Sequence, residues 1–375
     1  MSAKCNDILI NASNLHVGGG IQVATSFIYE LSLMDADSLN DLHFIVSDEV
    51  NEGLIRLGTV TSNFKNYKVV NTYGLHAIYS PVNSIVKYYK TVFTIFGPNY
   101  LSCQSNNEIV GFAQLWILEP NNPIKERSNL LTKTKISFKR KLQWLAFKRA
   151  NTLIVELEHV ARKLESNKKY PKEKIHVVYN TVSNLYFDQS KWKNVKIQKS
   201  QDQLSIGIIS RDYSHKNLAI LPQVAILLRS EYNLNVHFYV TLNEDEWSTK
   251  DSFFKENIST VGALKIDECP SFYQQMDGII FPSLLECFSA TPLEAMIMQK
   301  PLFASDRDFV RDVCFNHALY FDPLDANNIA QVIANYYFDT SDHSQYLKLA
   351  KIHAIQFSNA KDRAQDYLNI IRNKN

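Results

Sequence analysis

Short apolar runs alternate with longer amphipathic stretches along this 375-residue chain. The runs predict strands at Ile8–Ile10, His43–Val46, Lys68–Val70, Val92–Phe96, Ile109–Phe112, Leu153–Val155 and His176–Tyr179. A second series follows at Leu204–Ile209, Val236–Val240, Ser259–Val261, Gly278–Phe281, Leu302–Ala304 and Leu319–Phe321. Many of them are continuously apolar rather than alternating, which suits strands buried on both faces of a parallel sheet. Helical patterns of ten or more residues lie between many of them. Gln22–Leu33, for instance, puts Val23, Phe27, Ile28 and Leu31 on one face. Strand–helix alternation of this kind predicts a doubly wound α/β architecture. The pattern weakens over residues 180–203, a polar, lysine-rich stretch that reads as a linker between two α/β domains. The first domain is assigned to residues 1–185 and the second to 200–350, with Tyr346–Ile371 helical by pattern. Two such domains facing each other make a cleft, and ligands of such sheets bind beyond the carboxyl ends of the strands.

Composition narrows the classes. Hydrophobic residues are 45% and charged residues 21%, which excludes a disordered chain, a collagen-like chain and a coiled-coil rod. Forty basic against 38 acidic residues leave a net charge of +2, so general nucleic-acid binding is not indicated. Cys5, Cys103, Cys269, Cys287 and Cys314 are widely spaced and form no CxxC pair. That argues against a zinc or redox motif and fits a reducing, cytoplasmic compartment. Met1–Ile10 lacks the long apolar core of a secretory signal, and no run of about 18 apolar residues predicts a membrane-spanning helix. One segment departs from the charge balance. Residues 124–149 carry nine cations against Glu126, interleaved with Leu130, Leu131, Ile136, Phe138, Leu142, Trp144, Leu145 and Phe147. Part of it suits an anionic membrane surface, and it suits equally an ordinary helix with a solvated basic face.

Three motifs sit at predicted strand-to-helix turns. Gly18–Gly19–Gly20 follows the first strand and opens the first helix. Glycines there let the backbone approach a ligand, and the helix offers free N–H groups to an anion. The run is not GxGxxG, so a nicotinamide cofactor is weakly supported. Arg211 and Lys216 follow the strand Leu204–Ile209, where a fork-like and a point-like cation suit a diphosphate. Pro282–Glu294 (PSLLECFSATPLE) follows Gly278–Phe281 and separates Glu286 from Glu294 by seven residues. Here a structural reading competes: Thr291–Glu294 has the spacing of a capping box with Pro292 at the helix start, and Ser283–Glu286 has the same spacing. Two acidic pairs match a metal-binding DxD. Asp35–Asp37 reads as a solvated turn, and Asp306–Asp308, better placed after a strand, is still read as holding no metal. The ten histidines show no HExxH, and no GxSxG elbow occurs.

Taken in order, the glycine loop, the Arg/Lys loop and Glu-x7-Glu running into Ala295–Met296 resemble the retaining glycosyltransferases of family 4. The resemblance covers most of the chain and is strongest from Ser205 to Pro323. VGGGIQVA, FTIFGP, GFAQLWILEP and IVELEHV look like the branch that builds bacterial surface polysaccharides, O-antigen or capsule. It implies the GT-B fold, two Rossmann-like domains, with a C-terminal helix of about 355–375 returning to the first. It implies that Arg211 and Lys216 neutralise the donor diphosphate, that Glu286 contacts the donor sugar and that Glu294 binds the ribose. Phe288, Ser289, Ala290 and Thr291 would line the donor site between them. The glycine loop would lie beside phosphates or acceptor. The implied activity moves a sugar from a nucleoside-diphosphate donor to a lipid-linked glycan, without a cofactor or metal, at the inner face of the cytoplasmic membrane. Two departures stand out: Ser289 replaces the usual glycine, and Gln114 is the nearest polar residue where many relatives carry a histidine. His16, beside the glycine loop, is the substitute candidate on the acceptor side. Two other classes are weighed: a non-catalytic partner that keeps the fold, and a sugar-nucleotide epimerase. Retention of Arg211, Lys216, Glu286 and Glu294 together argues against the first. The second needs a carboxylate or histidine pair at the sugar ring.

Overall fold

The computed structural model describes residues 7–101, 107–120, 122–126, 130–200, 202–357 and 359–372. Cys5, Cys103, Arg127 and the side chains of Lys125, Glu126 and Leu130 lie outside the described set. The chain divides into two compact units: Met1–Thr181 with Ser358–Asn375, and Val182–Phe357.

In the first unit seven strands form one parallel sheet. They are β1 (Ile8–Ala12), β2 (Leu42–Val46), β3 (Asn66–Val69), β4 (Thr91–Thr94), β5 (Asn107–Gly111), β6 (Thr152–Val155) and β7 (Ile175–Val177), in the order β3-β2-β1-β4-β5-β6-β7. All five residues of β1 and of β2 are buried, because helices cover both faces, and that is why these runs read as continuously apolar. The helix Gly19–Ser32 drops Val23, Phe27, Ile28 and Leu31 onto the sheet, and it starts three residues earlier than the apolar period alone marks. Phe27 meets Phe93 of β4 edge-on.

The pattern over Tyr346–Ile371 resolves into two helices, Ser344–Ile355 and Ala360–Ile371. The second starts where the Asn359 side chain accepts the Asp362 N–H, an N-cap that ends any continuous helix. The two helices belong to different units. Ala360–Ile371 buries Ala364, Tyr367, Leu368 and Ile371 in the first unit's core, with Tyr367 edge-on to Phe27 at 5.0 Å. The same helix brings in Arg363, almost wholly buried, which donates to the Asn180 side-chain carbonyl. Asn180 in turn donates to Glu156 at 2.8 Å.

The second unit has six parallel strands, β8 (Leu204–Ile208), β9 (Val236–Val240), β10 (Ile258–Thr260), β11 (Gly278–Phe281), β12 (Leu302–Ser305) and β13 (Leu319–Phe321), ordered β10-β9-β8-β11-β12-β13. The order reverses between β8 and β11. Connections leaving these neighbouring strands run in opposite directions and open a crevice at their carboxyl ends. The polar stretch read as a linker is folded onto this unit. Val195 N–H donates to Ser271 Oγ at 3.2 Å, Gln275 donates to Val195 O at 2.8 Å, and Lys193 pairs with Asp267 at 2.6 Å.

Glu156 yields a pH test. Burial pushes its carboxyl up to about 7 from 4.5, against the pull of Arg363 and of the Asn180 amide. The fold therefore favours the protonated acid. Its contribution is full below about pH 4.5 and is lost as pH rises through about 7. Glu156→Gln should match wild type in thermal stability at pH 5 and exceed it at pH 8, by on the order of 3 kcal/mol. Parallel stability–pH curves for the two proteins would refute this.

Candidate functional site

In the second unit the sheet reversal brings two loops together. Lys216, after β8, donates to Glu286 Oε1, after β11, at 2.7 Å. The side chains are only 13% and 9% exposed. Leu284 N–H donates to the His215 carbonyl at 2.7 Å, so the loops are pinned through backbone as well. Asn217 takes a left-handed conformation (φ 55°) and donates to Pro323 O at 2.7 Å, which turns the chain so that Lys216 faces the β11 loop. Lys216 Nζ also stands 5.6 Å from the Phe281 ring centroid. An ammonium and a carboxylate thus meet where a parallel sheet opens.

Arg211 is held differently. Its side chain is 54% exposed and donates to Glu246 Oε1 at 2.8 Å. The same oxygen accepts the Asp212 N–H at 3.0 Å, and Lys250 pairs with Asp212 at 2.6 Å. Glu246 is itself fixed by a capping box with Asn243 at the start of the helix Glu244–Ser248. Partial burial pushes the Glu246 carboxyl up, but Arg211 and the Asp212 and Asn243 N–H groups outweigh it and hold it below the ordinary range. Glu246 carried no signal in the sequence, because its partner lies 35 residues away.

The capping-box reading of Glu294 is overturned. The helix Thr291–Ile297 has Ala290 as its N-cap, with no side-chain cap, and Pro292 falls within its first two positions. No helix starts at Ser283 either. Glu294 is instead partly buried, and its Oε2 accepts the Tyr273 hydroxyl at 2.7 Å. The buried Tyr186 ring packs edge-on to Tyr273, and its hydroxyl also acts on this carboxyl. Burial raises the Glu294 carboxyl above its ordinary value, while the two tyrosines and Lys216 act to lower it. Phe288, Ser289 and Ala290 lie half-buried between the two glutamates, and Thr291 is buried. His215, which the motif reading passed over, lies beside Glu286, and burial pushes its imidazole below the ordinary value.

The two DxD matches are held by local bonds. Asp35 caps a short 3-10 helix and accepts from Ser38 N and Oγ at 2.9 and 2.8 Å. Asp306 is bound by both arms of Arg311 at 2.7 and 2.9 Å.

The first unit holds the glycine loop. Gly18 has φ 75° and ψ −162°, a conformation that only glycine takes without strain. A Cβ on Gly20 would stand 3.3 Å from Leu15, so that glycine serves packing, whereas one on Gly19 would meet nothing within 4 Å. The loop rests on a buried polar network: Asn11 donates to Thr94 at 3.2 Å and accepts from Ser13, whose hydroxyl is 2.9 Å from that of Thr72. Asn14 donates to Phe96 O at 2.8 Å, and its own Oδ1 is buried with no hydrogen-bond partner among the described residues. His16 has its Nδ1 2.9 Å from Glu49 and its Nε2 3.0 Å from the Thr72 carbonyl, and it stacks on Tyr73. Both ring nitrogens are engaged, which makes His16 a tie between the loop and its neighbours. Gln114 is half-buried just past β5. Because β4 separates β1 from β5, their ends are about 10 Å apart.

Comparison with known proteins falls on the second unit first. Residues 203–339 match the family model described as glycosyl transferases group 1. A segment of 168 residues, 44% of this chain, is 26% identical to the O-antigen chain mannosyltransferase RfbU of Salmonella typhimurium; the alignment spans 44% of that relative's length. Solved structures extend the likeness to the whole chain at the level of fold. A glycosyltransferase from Rickettsia africae superposes with a TM-score of 0.69 at 15% identity, over 98% of each chain. Anabaena Alr3699/HepE in complex with UDP gives 0.66 at 13% identity, over 98% of this chain and 100% of that one. WaaG, a glycosyltransferase involved in lipopolysaccharide biosynthesis, gives 0.63 at 10% identity, over 97% and 99%. The fold is therefore a pair of parallel-sheet Rossmann-like domains, matching the GT-B glycosyltransferase structures, and the segment that the family model matches contains Arg211, Lys216, Glu286 and Glu294.

The ion pair in that segment can be weighed by a double-mutant cycle. Lys216→Met strands a nearly buried carboxylate and should lower stability by about 3 kcal/mol. Adding Glu286→Gln should recover most of that loss. Additive losses in urea denaturation would mean the two side chains do not interact.

Proposed function

We propose that this chain is a retaining glycosyltransferase of the family 4 type. It moves a sugar from a nucleoside-diphosphate sugar to a hydroxyl of a lipid-linked glycan during surface-polysaccharide biosynthesis. The observation that carries the reading is the Lys216–Glu286 pair at the reversal of the second sheet, with Glu294 one short loop away. In this reading the sugar C1–O bond to the diphosphate breaks and its electron pair leaves with the diphosphate. The acceptor oxygen forms the new bond to C1 on the same face, and its proton passes to the departing phosphate oxygen. Negative charge grows on the leaving group, so Lys216 and Arg211 are the fixed cations that stabilise the transition state. Binding the diphosphate transfers Lys216 from Glu286 to phosphate and leaves the Glu286 carboxylate to accept sugar hydroxyls. Arg211 makes the same exchange away from Glu246. Glu294 accepts the ribose hydroxyls, with Phe288, Ser289, Ala290 and Thr291 lining the space between the glutamates. The glycine loop Gly18–Gly20, Asn14 and Gln114 belong to the acceptor side, and His16 positions that loop. Charge neutralisation falls to side chains, so the reading requires no cofactor and no divalent metal ion.

The acceptor reading is supported by the helix Leu130–Lys148. Leu131, Phe138 and Leu145 are 76%, 64% and 59% exposed and recur every seven residues, so they form one solvent-facing stripe. At about 100° per residue, exposed Lys135 and Lys139 flank it on one side and exposed Lys141 and Lys148 on the other. The helix carries six cations and no acidic residue. An apolar stripe between rows of lysine fits the surface of an anionic bilayer. No helix among the described residues is long and apolar enough to cross one. The reading therefore places the protein peripherally at the inner face of the cytoplasmic membrane.

Binding of UDP and GDP, followed by calorimetry with and without EDTA, tests the donor site. One nucleotide should bind independently of metal. Glu294→Ala should weaken it by about tenfold or more, and Lys216→Ala should cut turnover with a lipid-linked acceptor. Wild-type behaviour in both variants would discard the assignment. Separately, Leu131→Ser/Phe138→Ser/Leu145→Ser should abolish cosedimentation with phosphatidylglycerol vesicles while leaving nucleotide binding unchanged. Undiminished cosedimentation would remove the membrane reading.

A further inference from the structure

Two buried tyrosines converge on Glu294, and they come from places the motif does not include. Tyr273 sits in the helix Cys269–Gln275, fully buried, and its hydroxyl donates to Glu294 Oε2 at 2.7 Å. Tyr186 sits in the short 3-10 helix Asn184–Phe187, in the polar stretch that enters the second unit; it too is buried, and its hydroxyl acts on the Glu294 carboxyl to favour the ionised form. The rings meet edge-on, 5.9 Å apart. The entering stretch is held in place by its own bonds. Trp192 Nε1 donates to Leu185 O at 2.8 Å, and Val195 exchanges bonds with Ser271 and Gln275 of the Tyr273 helix. Two rigid phenols from two elements thus fix one carboxylate.

We infer that Tyr186 and Tyr273 are positioning residues for donor binding, which aim the Glu294 carboxylate at the ribose. The inference rests on the donor-site reading of Glu294 given above. A carboxylate on a glutamate has three free torsions. Locking Oε2 with the Tyr273 O–H, backed by the Tyr186 phenol, leaves the other edge to accept the ribose diol, and it removes the entropy that ordering on binding would otherwise cost. The hydroxyls also oppose the effect of burial, keeping more of Glu294 ionised and able to accept. The groups that face this carboxyl are Tyr273 and Cys269 from the helix Cys269–Gln275, Tyr186 from the entering stretch, and Lys216 from the β8 loop. Cys269 is itself pushed up to about 12, mainly by burial, so it stays a neutral thiol. His215 lies one step further out, beside Lys216 and Glu286, and the Glu294→Gln variant separates its titration from that of Glu294.

The experiment is the dissociation constant of UDP and of GDP from pH 5 to 8 for the full chain, its Tyr273→Phe and Tyr186→Phe variants, and Glu294→Gln. Each Tyr→Phe change keeps the ring packing and removes one hydroxyl. The expected result is a roughly fivefold weaker Kd at pH 7.5 in Tyr273→Phe. The pH below which binding falls off should move upward in each variant and further in the double variant, while Glu294→Gln binds weakly with no such break. If both single variants bind with the wild-type Kd and break while Glu294→Gln has lost binding, the positioning role is wrong and the donor site stands. If Glu294→Gln binds as wild type does, the donor-site reading falls and takes the positioning role with it. Should Tyr273→Phe fail to fold by circular dichroism, Tyr186→Phe alone decides, since its packing lies outside the sheet core.

Discussion

A parallel sheet cannot return its chain by a hairpin. Every strand must be followed by a crossover long enough to climb one face and come back, and the crossovers share one hand. Most of what this molecule presents follows from that constraint. All strand pairs described here are parallel, so all carboxyl ends of a sheet lie along one edge. Where the strand order turns at β8 and β11, the two crossovers part. Lys216 and Glu286 are 70 residues apart in sequence and 2.7 Å apart in space because of this geometry. The pair also concentrates opposite charge at the end of one sheet, with each side chain only slightly exposed.

The same constraint explains why the fold class was readable from residues. Strands covered on both faces are mostly apolar, and β1, β2, β9 and β11 announce themselves as runs dominated by Ile, Leu, Val and Phe, broken by single residues such as Asn11, His43 and His237. Chemistry at the strand ends was readable in part. Arg211, Lys216, Glu286 and Glu294 stand at fixed distances after apolar runs, and order supplies the meaning that each lacks alone. The stabilising context was not readable. Residues 182–199 look like a linker because they have no period, yet their polar groups bond to Ser271, Asp267 and Gln275, and such bonds leave no repeat in a sequence. Thr291–Glu294 carries the letters of a capping box. The helix begins one residue earlier in backbone terms, with Ala290 as cap, which releases Glu294 for Tyr273. The break at Asn359 was hidden for a related reason: apolar positions on either side of it keep a common helical spacing, although they serve different units.

The two candidate centres differ in kind. Around Glu294 and Glu286 the side chains are buried, aromatic-backed and cross-linked. Around the glycine loop the geometry is set by backbone: an ε-region glycine, a network of small polar groups below it, and a histidine that ties it to its neighbours. A rigid pocket of side chains suits a constant ligand part such as a diphosphate and ribose. A backbone-lined rim with room above Gly19 tolerates ligands whose substituents vary.

The helix Ala360–Ile371 has a bearing on assembly of the chain. It completes the core around Phe27 and Tyr367, yet the whole of residues 182–357 separates it from the strands it covers. The second unit is in effect inserted into the first. During synthesis the inserted unit leaves the ribosome with all its strands present and can close its own core. The first unit must wait with Phe27 and Phe93 lacking the ring of Tyr367 until that helix arrives. Loop closure grows only slowly more costly with length, so the long interval adds little to the thermodynamic penalty. What it lengthens is the time in which a nascent sheet stands open to solvent and to other chains.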